Sequence, residues 1–222
     1  MQRLRWTLAL AVLTAAGVVP AHAQNQDWQN QWFWGVKGGV TTYSINNATS
    51  TSIVANPVMG GEWLITRGRT ALYAGYSMTV GVLDSTLAEF RTVSTPLAVG
   101  FNGMRRIQIA VLVFPMNGIL QPYVGGGFVI ETLPSAGVSF PLGLSASVQS
   151  AINQDLQSRS SGGFFLTMIG AQFRMRKLAV FGHAQISPQG RDFLLSSGST
   201  SFEFGVRYAL TGAREDDVTT RR

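Results

Sequence analysis

The feature that most constrains this sequence is an alternation of apolar with small or polar residues, repeated over segments of about ten residues. Between Phe202 and Leu210 every second residue is apolar, and Leu72 to Val80 follows the same rule. This is the period of a β-strand with two different faces. It predicts strands near 32–44, 53–66, 70–82, 105–114, 119–131, 162–174, 178–188 and 199–210.

The lengths of the connections between these segments distinguish two all-β architectures. Short links at 67–69, 115–118 and 175–177 alternate with longer ones near 45–52, 83–104, 132–161 and 189–198. Short turns at one end and long loops at the other are typical of a transmembrane barrel with an even number of strands. A soluble sandwich has no reason to sort its loops in this way. We therefore predict an all-β fold, a closed antiparallel transmembrane β-barrel of about eight strands.

The N-terminus predicts export. Arg3 and Arg5 precede an uncharged stretch from Trp6 to Val19, and small residues at Ala21 and Ala23 complete the pattern of a cleaved signal peptide. The expected domains are a signal peptide over 1–23, a barrel over 24–210 and a polar tail over 211–222. The chain has no cysteine, so closure is expected from hydrogen bonds rather than disulfides.

Charge and hydropathy agree with a barrel in lipid. Only 13% of the residues are charged and mean hydropathy is +0.17, yet no apolar run after the predicted signal peptide has the length of a transmembrane helix. The formal net charge of +6 would fall to +4 on loss of Arg3 and Arg5. Many of the basic residues lie in short turns rather than along one stripe, so nucleic-acid binding is not expected.

Three segments depart from simple alternation. Pro57 and the Gly60-Gly61 pair predict a bulge or bend in the second strand. The 162–174 segment has apolar residues on both faces, so its orientation stays open, and 83–104 is expected to be a loop or a strand extension above the membrane. In the third long loop, four residues at a spacing of four predict a short amphipathic helix that packs over the barrel mouth or offers an apolar surface to lipid or a ligand: Leu144, Val148, Ile152 and Leu156.

Several segments resemble small outer-membrane barrels of the OmpA/OmpX family. Residues 120–127 (LQPYVGGG) resemble a strand of that family, 34–39 (WGVKGG) its first strand, and 203–210 (EFGVRYAL) its terminal assembly signal. The resemblance implies the outer membrane of a Gram-negative-type bacterium, with lipid and lipopolysaccharide as surroundings. It also implies that the barrel-assembly machinery reads Gly205, Tyr208 and Leu210. In that family the signal commonly ends the protein, whereas here residues 211–222 follow it.

The polar residues of the predicted strands have the parity of the inward face. An eight-stranded barrel is just wide enough for side chains to fill it, so inward charges must pair with each other or with trapped water. The expected function of this set is a polar plug, and the alternative is a narrow path for protons, ions or a small solute. The predicted lumen network consists of Lys37, Glu62, Arg106, Glu131, His183, Gln185, Glu203 and Arg207.

An enzymatic function is the third alternative, because outer-membrane lipid A deacylases are barrels that use serine, histidine and glutamate. His183 and Ser187 are ~13 Å apart along one strand, too far for direct proton transfer. A hairpin symmetrical about Phe193 would place His183 opposite Glu203 and Gln185 opposite Ser201. Such a catalytic set should face lipid, whereas these residues are predicted to point inward. We therefore expect no catalysis, cofactor or metal, and a structural or interaction role in the cell envelope. The alternatives are a barrel that binds or passes a small solute, apolar solutes included, and an enzyme that modifies lipid A.

Overall fold

The computed structural model describes residues 30–46, 51–80, 83–87, 97–101, 103–134, 137–140, 143–188, 193–195 and 198–210. The predicted signal peptide, residues 1–23, and the predicted tail, residues 211–222, lie outside the described residues. Within the described part of the chain, no helix has the length and hydropathy that crossing a membrane would require.

The fold is a closed antiparallel β-barrel of eight strands, as the alternation predicted. The barrel strands are β1 (Trp32–Asn46), β2 (Thr51–Arg67), β3 (Thr70–Thr79), β6 (Arg105–Val113), β7 (Leu120–Thr132), β9 (Ser161–Met175), β10 (Leu178–Ser187) and β11 (Ser199–Leu210). Neighbouring strands follow the order β1-β11-β10-β9-β7-β6-β3-β2, and β2 closes on β1. Three pairs of neighbouring strands are joined by short turns after Arg67, Val113 and Met175.

A bulge or a bend was predicted in β2, and the structure has no bulge there. β2 pairs residue for residue with β1 from Thr51 to Ile65, and with β3 from Val58 to Arg67. Pro57 lies opposite Val40 without breaking the register, and its carbonyl accepts a hydrogen bond of 2.8 Å from the Val80 amide. Proline has no backbone N–H to donate. This is tolerated because Pro57 lies at the end of the β2–β3 pairing, which begins at Val58.

The outer face of the barrel is apolar on all eight strands. In β6, exposed Ile107, Ile109 and Val111 alternate with buried Gln108 and Ala110. An exposed apolar surface that surrounds a whole barrel is far larger than the patches found on soluble monomers. It matches the lipid face of a transmembrane barrel.

The orientation of β9, which the sequence left open, follows from its burial pattern. Phe165, Ile169 and Phe173 are exposed on the outer face, whereas Leu166 and Met168 are buried in the lumen. Both sets are apolar because β9 faces lipid on one side and an apolar region of the lumen on the other. Polar and apolar residues therefore do not alternate clearly along β9, although its side chains alternate regularly between the outer face and the lumen.

The second long loop does not extend the barrel strands. It forms β4 (Leu83–Leu87) and β5 (Leu97–Phe101), which pair with each other and with the two-residue strand β8 (Gly137–Val138) in a separate three-stranded sheet. The segment therefore lies outside the barrel sheet, as expected of a loop, but it contains strands of its own that were not predicted. A local hairpin satisfies the backbone groups of this segment without a ninth barrel strand.

The predicted helix in the third long loop is present as α1 (Ala146–Arg159). Ile152 and Leu156 are its buried residues, and they pack with Tyr43, Met104 and Leu133 in an apolar cluster above the lumen. Two loop amides also hold its C-terminal end, Leu194 to the Arg159 carbonyl at 3.1 Å and Leu133 to the Ser160 carbonyl at 2.8 Å. Of the two alternatives for this helix, the structure shows packing over the barrel mouth.

Candidate functional site

All eight residues of the predicted lumen network lie inside the barrel, and none exposes more than 5% of its surface. They come from six strands and are placed inward by the same alternation that turns apolar side chains toward the outer face. The structure arranges them in three groups, each built around one ion pair. The first pair is Lys37–Glu203, the second Arg106–Glu131 and the third Glu62–Arg207.

The first group is centred on Glu203. Its Oε2 atom accepts a hydrogen bond of 2.6 Å from Lys37 Nζ and one of 3.1 Å from Gln185 Nε2, and it lies 3.1 Å from His183 Nε2. Lys37 Nζ donates two further bonds, to the hydroxyl of Tyr73 at 2.8 Å and to Gln108 Oε1 at 2.7 Å. The ammonium group therefore has three partners inside the barrel, the number of its protons.

The second group joins Arg106 to Glu131 near the ends of the strands that lead to the long loops. Arg106 Nε donates to Glu131 Oε1 at 3.0 Å, and the same oxygen accepts a 3.0 Å bond from the Ser199 hydroxyl. Arg106 Nη1 also donates to Ser201 Oγ, which is 2.7 Å from Thr41 Oγ1.

The third group joins Arg207 to Glu62 through a direct bond from Nε to Oε1. Arg207 Nη1 donates to Gln172 Oε1 at 2.7 Å, and Gln172 in turn donates to Gln121 Oε1 at 2.9 Å. The guanidinium carbon lies 3.9 Å from the centre of the Phe181 ring. A guanidinium over an aromatic face gains cation–π attraction, and this gain is larger where water is excluded.

The charges of the predicted lumen network are paired. Its three cations and three carboxylates form three ion pairs at direct contact. Arg174, which is half-buried, also lies on the inner face of β9, near the short turns. Pairing offsets the cost of removing both charges from water, a cost of several kcal/mol per ion, only when the geometry is good and other hydrogen bonds complete it. The network meets that condition in part. Glu62 Oε2, Glu203 Oε1 and one Nη2 atom of each arginine have no hydrogen-bond partner among the described residues. Other polar atoms bond to neutral partners that were not among the predicted residues: Tyr73, Gln108, Tyr123 and Gln172. They could have been predicted from the sequence, because each lies at an inward position of its strand.

Glycines in the intervening strands make room for contacts across the lumen wall. Gly35 lies between Arg207 and Glu62 in a row across three strands, and a Cβ there would be 3.0 Å from Arg207 Cγ and 3.2 Å from Glu62 Cγ. Gly170 lies in the same way between Tyr123 and His183, whose side chains meet at 3.0 Å. A Cβ at Gly170 would be 2.6 Å from His183 Cβ. Larger residues at these two positions would separate the partners.

Apolar side chains fill the lumen on both sides of the charged groups. Next to the short turns lie Phe33, Ala71, Phe114, Ala179 and Ala209, which belong to one buried cluster. At the opposite end the apolar cluster under α1 closes the mouth. Every barrel strand contributes an inward side chain that is at most 1% exposed, namely Thr41, Glu62, Tyr73, Gln108, Glu131, Met168, Gln185 and Glu203.

The residues considered for catalysis are only partly brought together. His183 lies opposite Glu203 and Gln185 opposite Ser201, the register expected from a symmetrical hairpin. However, the Ser201 hydroxyl bonds to Thr41 and Arg106, and the second nitrogen of His183 bonds to the Tyr123 hydroxyl. Within the described ranges no three His, Cys, Asp or Glu side chains cluster as metal ligands. The arrangement suits a packed polar core better than a relay to a substrate.

The terminal strand places the residues of the predicted assembly signal on two faces. Tyr208 and Leu210 are exposed on the outer face, opposite Trp34 and Trp32 of β1. Gly205 points inward, where a Cβ would be 2.5 Å from Phe181 Cζ. These positions give the three residues packing and lipid-facing roles, and recognition by the assembly machinery stays a prediction.

The outer and inner faces together decide the class of barrel. Apolar side chains cover the outside, charged and polar side chains occupy the inside, and short turns lie at the opposite end from the long loops. A soluble barrel has the reverse distribution. The chain has the fold of a small outer-membrane β-barrel.

Comparisons with solved structures give similar barrels at low sequence identity. The attachment invasion locus protein Ail of Yersinia pestis, solved in complex with the heparin analogue sucrose octasulfate, is 10% identical with a TM-score of 0.48, over 81% of this chain and 99% of that one. The N-terminal β-barrel domain of Pseudomonas aeruginosa OprF is 10% identical with a TM-score of 0.46, over 82% and 100%. Neisserial surface protein A is 9% identical with a TM-score of 0.47, over 79% and 96%. No protein-family model matches the sequence, and neither does any curated protein.

Proposed function

We propose that this protein resides in the bacterial outer membrane as a closed barrel with a structural or interaction role, and that its long-loop end carries that role. The observation that supports this proposal most strongly is the filled lumen. Three ion pairs lie between two apolar clusters, and every barrel strand contributes an inward side chain that is at most 1% exposed. A lumen packed in this way stabilises the barrel and leaves its outer end as the part available to partners.

The cap is the second support. The sheet of β4, β5 and β8 and helix α1, together called the cap here, are elements built from the long loops. On α1 the buried residues Ile152 and Leu156 face the barrel, while Asn153, Gln154 and Gln157 are exposed. A polar outer surface of α1 on a closed barrel suits an interaction role.

The two other functions considered fit the geometry less well. Passage of a solute would require the ion pairs and both apolar clusters to separate. Lipid A modification would require a catalytic group that reaches lipid, whereas His183 is 4% exposed and Ser201 and Glu203 are fully buried. We therefore propose neither activity for this chain.

Cysteine labelling in intact cells tests the proposed location and orientation. The chain has no cysteine, so each substitution gives a unique thiol. Asn153→Cys lies on the exposed face of α1, and Asn117→Cys, its matched control, lies in an exposed short turn. We expect a membrane-impermeant maleimide to label Asn153→Cys in intact cells and Asn117→Cys only after the outer membrane is permeabilised. Recovery of both variants in the soluble periplasmic fraction would contradict the proposal.

A further inference from the structure

The outer surface of the barrel has an unusual charge distribution. In the eight barrel strands and their three short turns, the acidic residues are Glu62, Glu131 and Glu203, and all three point into the lumen. The exposed surface of this part of the structure therefore carries cations and no carboxylate. An anionic partner would therefore meet no carboxylate there that repels it.

Most of these cations lie at one end of the barrel. Arg67 and Arg69 are exposed at the β2–β3 turn, and Arg176 and Lys177 form the β9–β10 turn. Arg105 is the single outward-facing cation of the barrel strands at the long-loop end. The short-turn rim thus has four cations against one at the opposite end, in the described barrel strands and short turns.

Aromatic residues lie beside one of the two basic turns. Trp34 is paired with Tyr208 on one side and with Trp63 on the other, so three aromatic side chains form a row across β11, β1 and β2. All three are exposed on the outer face, and Trp63 lies on the same face of β2 as Arg67, four residues before it. Tryptophan and tyrosine prefer the level where hydrocarbon meets headgroups. The row therefore places Arg67 at the level of the headgroups.

The two basic turns lie on opposite sides of the barrel. Around the closed sheet, the β6–β7 hairpin separates them on one side and the β1–β11 pair on the other. A partner smaller than the barrel could not contact both turns at once. A lipid leaflet surrounds the barrel and contacts both.

We propose that the short-turn rim binds the headgroups of anionic phospholipids. Its best-defined site is formed by Arg67 and Arg69, near the row of aromatic side chains. The inference rests on the proposed membrane location. Guanidinium groups bind phosphate oxygens through paired hydrogen bonds, and basic residues at a membrane surface favour anionic lipid. An anionic cell-wall polymer is the competing partner for a cationic surface.

Quenching by brominated lipids tests the proposal, since Trp32, Trp34 and Trp63 are exposed on the outer face of β1 and β2, close to the β2–β3 turn. The folded barrel is placed in phosphatidylcholine vesicles that contain a fixed fraction of phosphatidylglycerol, with bromine on one lipid or the other. We expect an about fivefold preference for phosphatidylglycerol at the tryptophans, the ratio given by one cation near each headgroup. The Arg67→Gln/Arg69→Gln variant should lose this preference, and so should the wild type in about 1 M NaCl, because salt screens the attraction.

The opposite turn supplies the matched control. Arg176→Gln/Lys177→Gln removes the same charge from the far side and should leave quenching at the tryptophans unchanged. Equal quenching by both lipids in the wild type, or a preference that survives Arg67→Gln/Arg69→Gln, would overturn the proposal. So would cosedimentation with peptidoglycan that depends on Arg67 and Arg69 while lipid preference is absent. Quenching by neither lipid would instead contradict the proposed membrane location.

Discussion

At the scale of single residues, the lumen is held together by side chains that meet across an intervening glycine. Arg207 reaches Glu62 over Gly35, and Tyr123 reaches His183 over Gly170. Each contact depends on two things, the charge or polarity of the partners and the absence of a side chain between them. The two requirements can be tested separately.

Gly170→Ala tests the requirement for space. A Cβ at this position would be 2.5 Å from the Gly182 carbonyl oxygen and 2.6 Å from His183 Cβ, so strands β9 and β10 must shift. We expect a loss of ~1–3 kcal/mol in the free energy of unfolding, the usual cost of overpacking. Urea titration of the folded barrel measures it. Gly61→Ala is the matched control, because its nearest neighbour is 3.5 Å away; an equal loss there would show that Gly170 has no special role.

Glu203→Gln tests the requirement for charge. The substitution leaves the Lys37 ammonium buried without its carboxylate, and His183 and Gln185 lose the same partner. Removal of one member of a buried ion pair typically costs roughly 3–5 kcal/mol, and less where water enters. In the same urea titration, Asp155→Asn on α1 removes a partly exposed carboxylate whose pair with Arg159 is 3.8 Å long, and it should change stability little. Similar losses in the two variants would contradict the account of the network.

The facing of these residues could be predicted from sequence, but their partners could not. Period two places Lys37, Glu203 and Arg207 inside any barrel with an apolar outer face. Which carboxylate meets which cation depends on strand tilt and on side chains that cross over neighbouring strands. The Arg207–Glu62 pair spans β1 entirely, and nothing local in the sequence indicates it.

At the scale of secondary-structure elements, the structure follows the hydrophobic pattern except where the pattern is ambiguous. Pro57 and two glycines predicted a bulge or a bend in β2, yet the strand pairs without a bulge because the outer position of Pro57 and the long pairing with β1 tolerate it. β9 has apolar residues on both faces because it borders lipid and an apolar part of the lumen. The β4–β5 hairpin was not predicted, because the sequence of this long loop does not alternate regularly between apolar and polar residues.

The terminal strand β11 carries the element-scale prediction. Tyr208 and Leu210 are lipid-facing and match the apolar positions of the predicted assembly signal. We expect Tyr208→Ala/Leu210→Ala to lower the amount of assembled barrel severalfold, and deletion of residues 214–222 to have little effect. The heat-modifiable band on unboiled gels measures assembled protein. Leu178→Ala/Val180→Ala removes similarly exposed apolar side chains from β10 and is the control; an equal defect there would mean that β11 is not read as a signal.

At the scale of the whole molecule, three layers of side chains fill the lumen along the barrel axis. Apolar residues fill the end near the short turns, ion pairs fill the middle, and α1 with its cluster covers the mouth. The sequence predicted the outline of this arrangement, namely a closed barrel, inward charges and a helix in the third long loop. It could not predict how completely the layers fill the lumen, because packing depends on contacts among all eight strands.

Liposome swelling by the folded, heat-modifiable protein tests the closed lumen most directly. Proteoliposomes are diluted into isotonic solutions of sugars of increasing size, with empty liposomes as the reference. The structure predicts no swelling above that reference for the wild type. It predicts none for Ile152→Ala/Leu156→Ala either, because the ion pairs and the lower apolar cluster remain when the cap is loosened. Swelling by the wild type that falls with increasing sugar size would contradict the account, and swelling by the cap variant alone would show that the lumen beneath α1 is open.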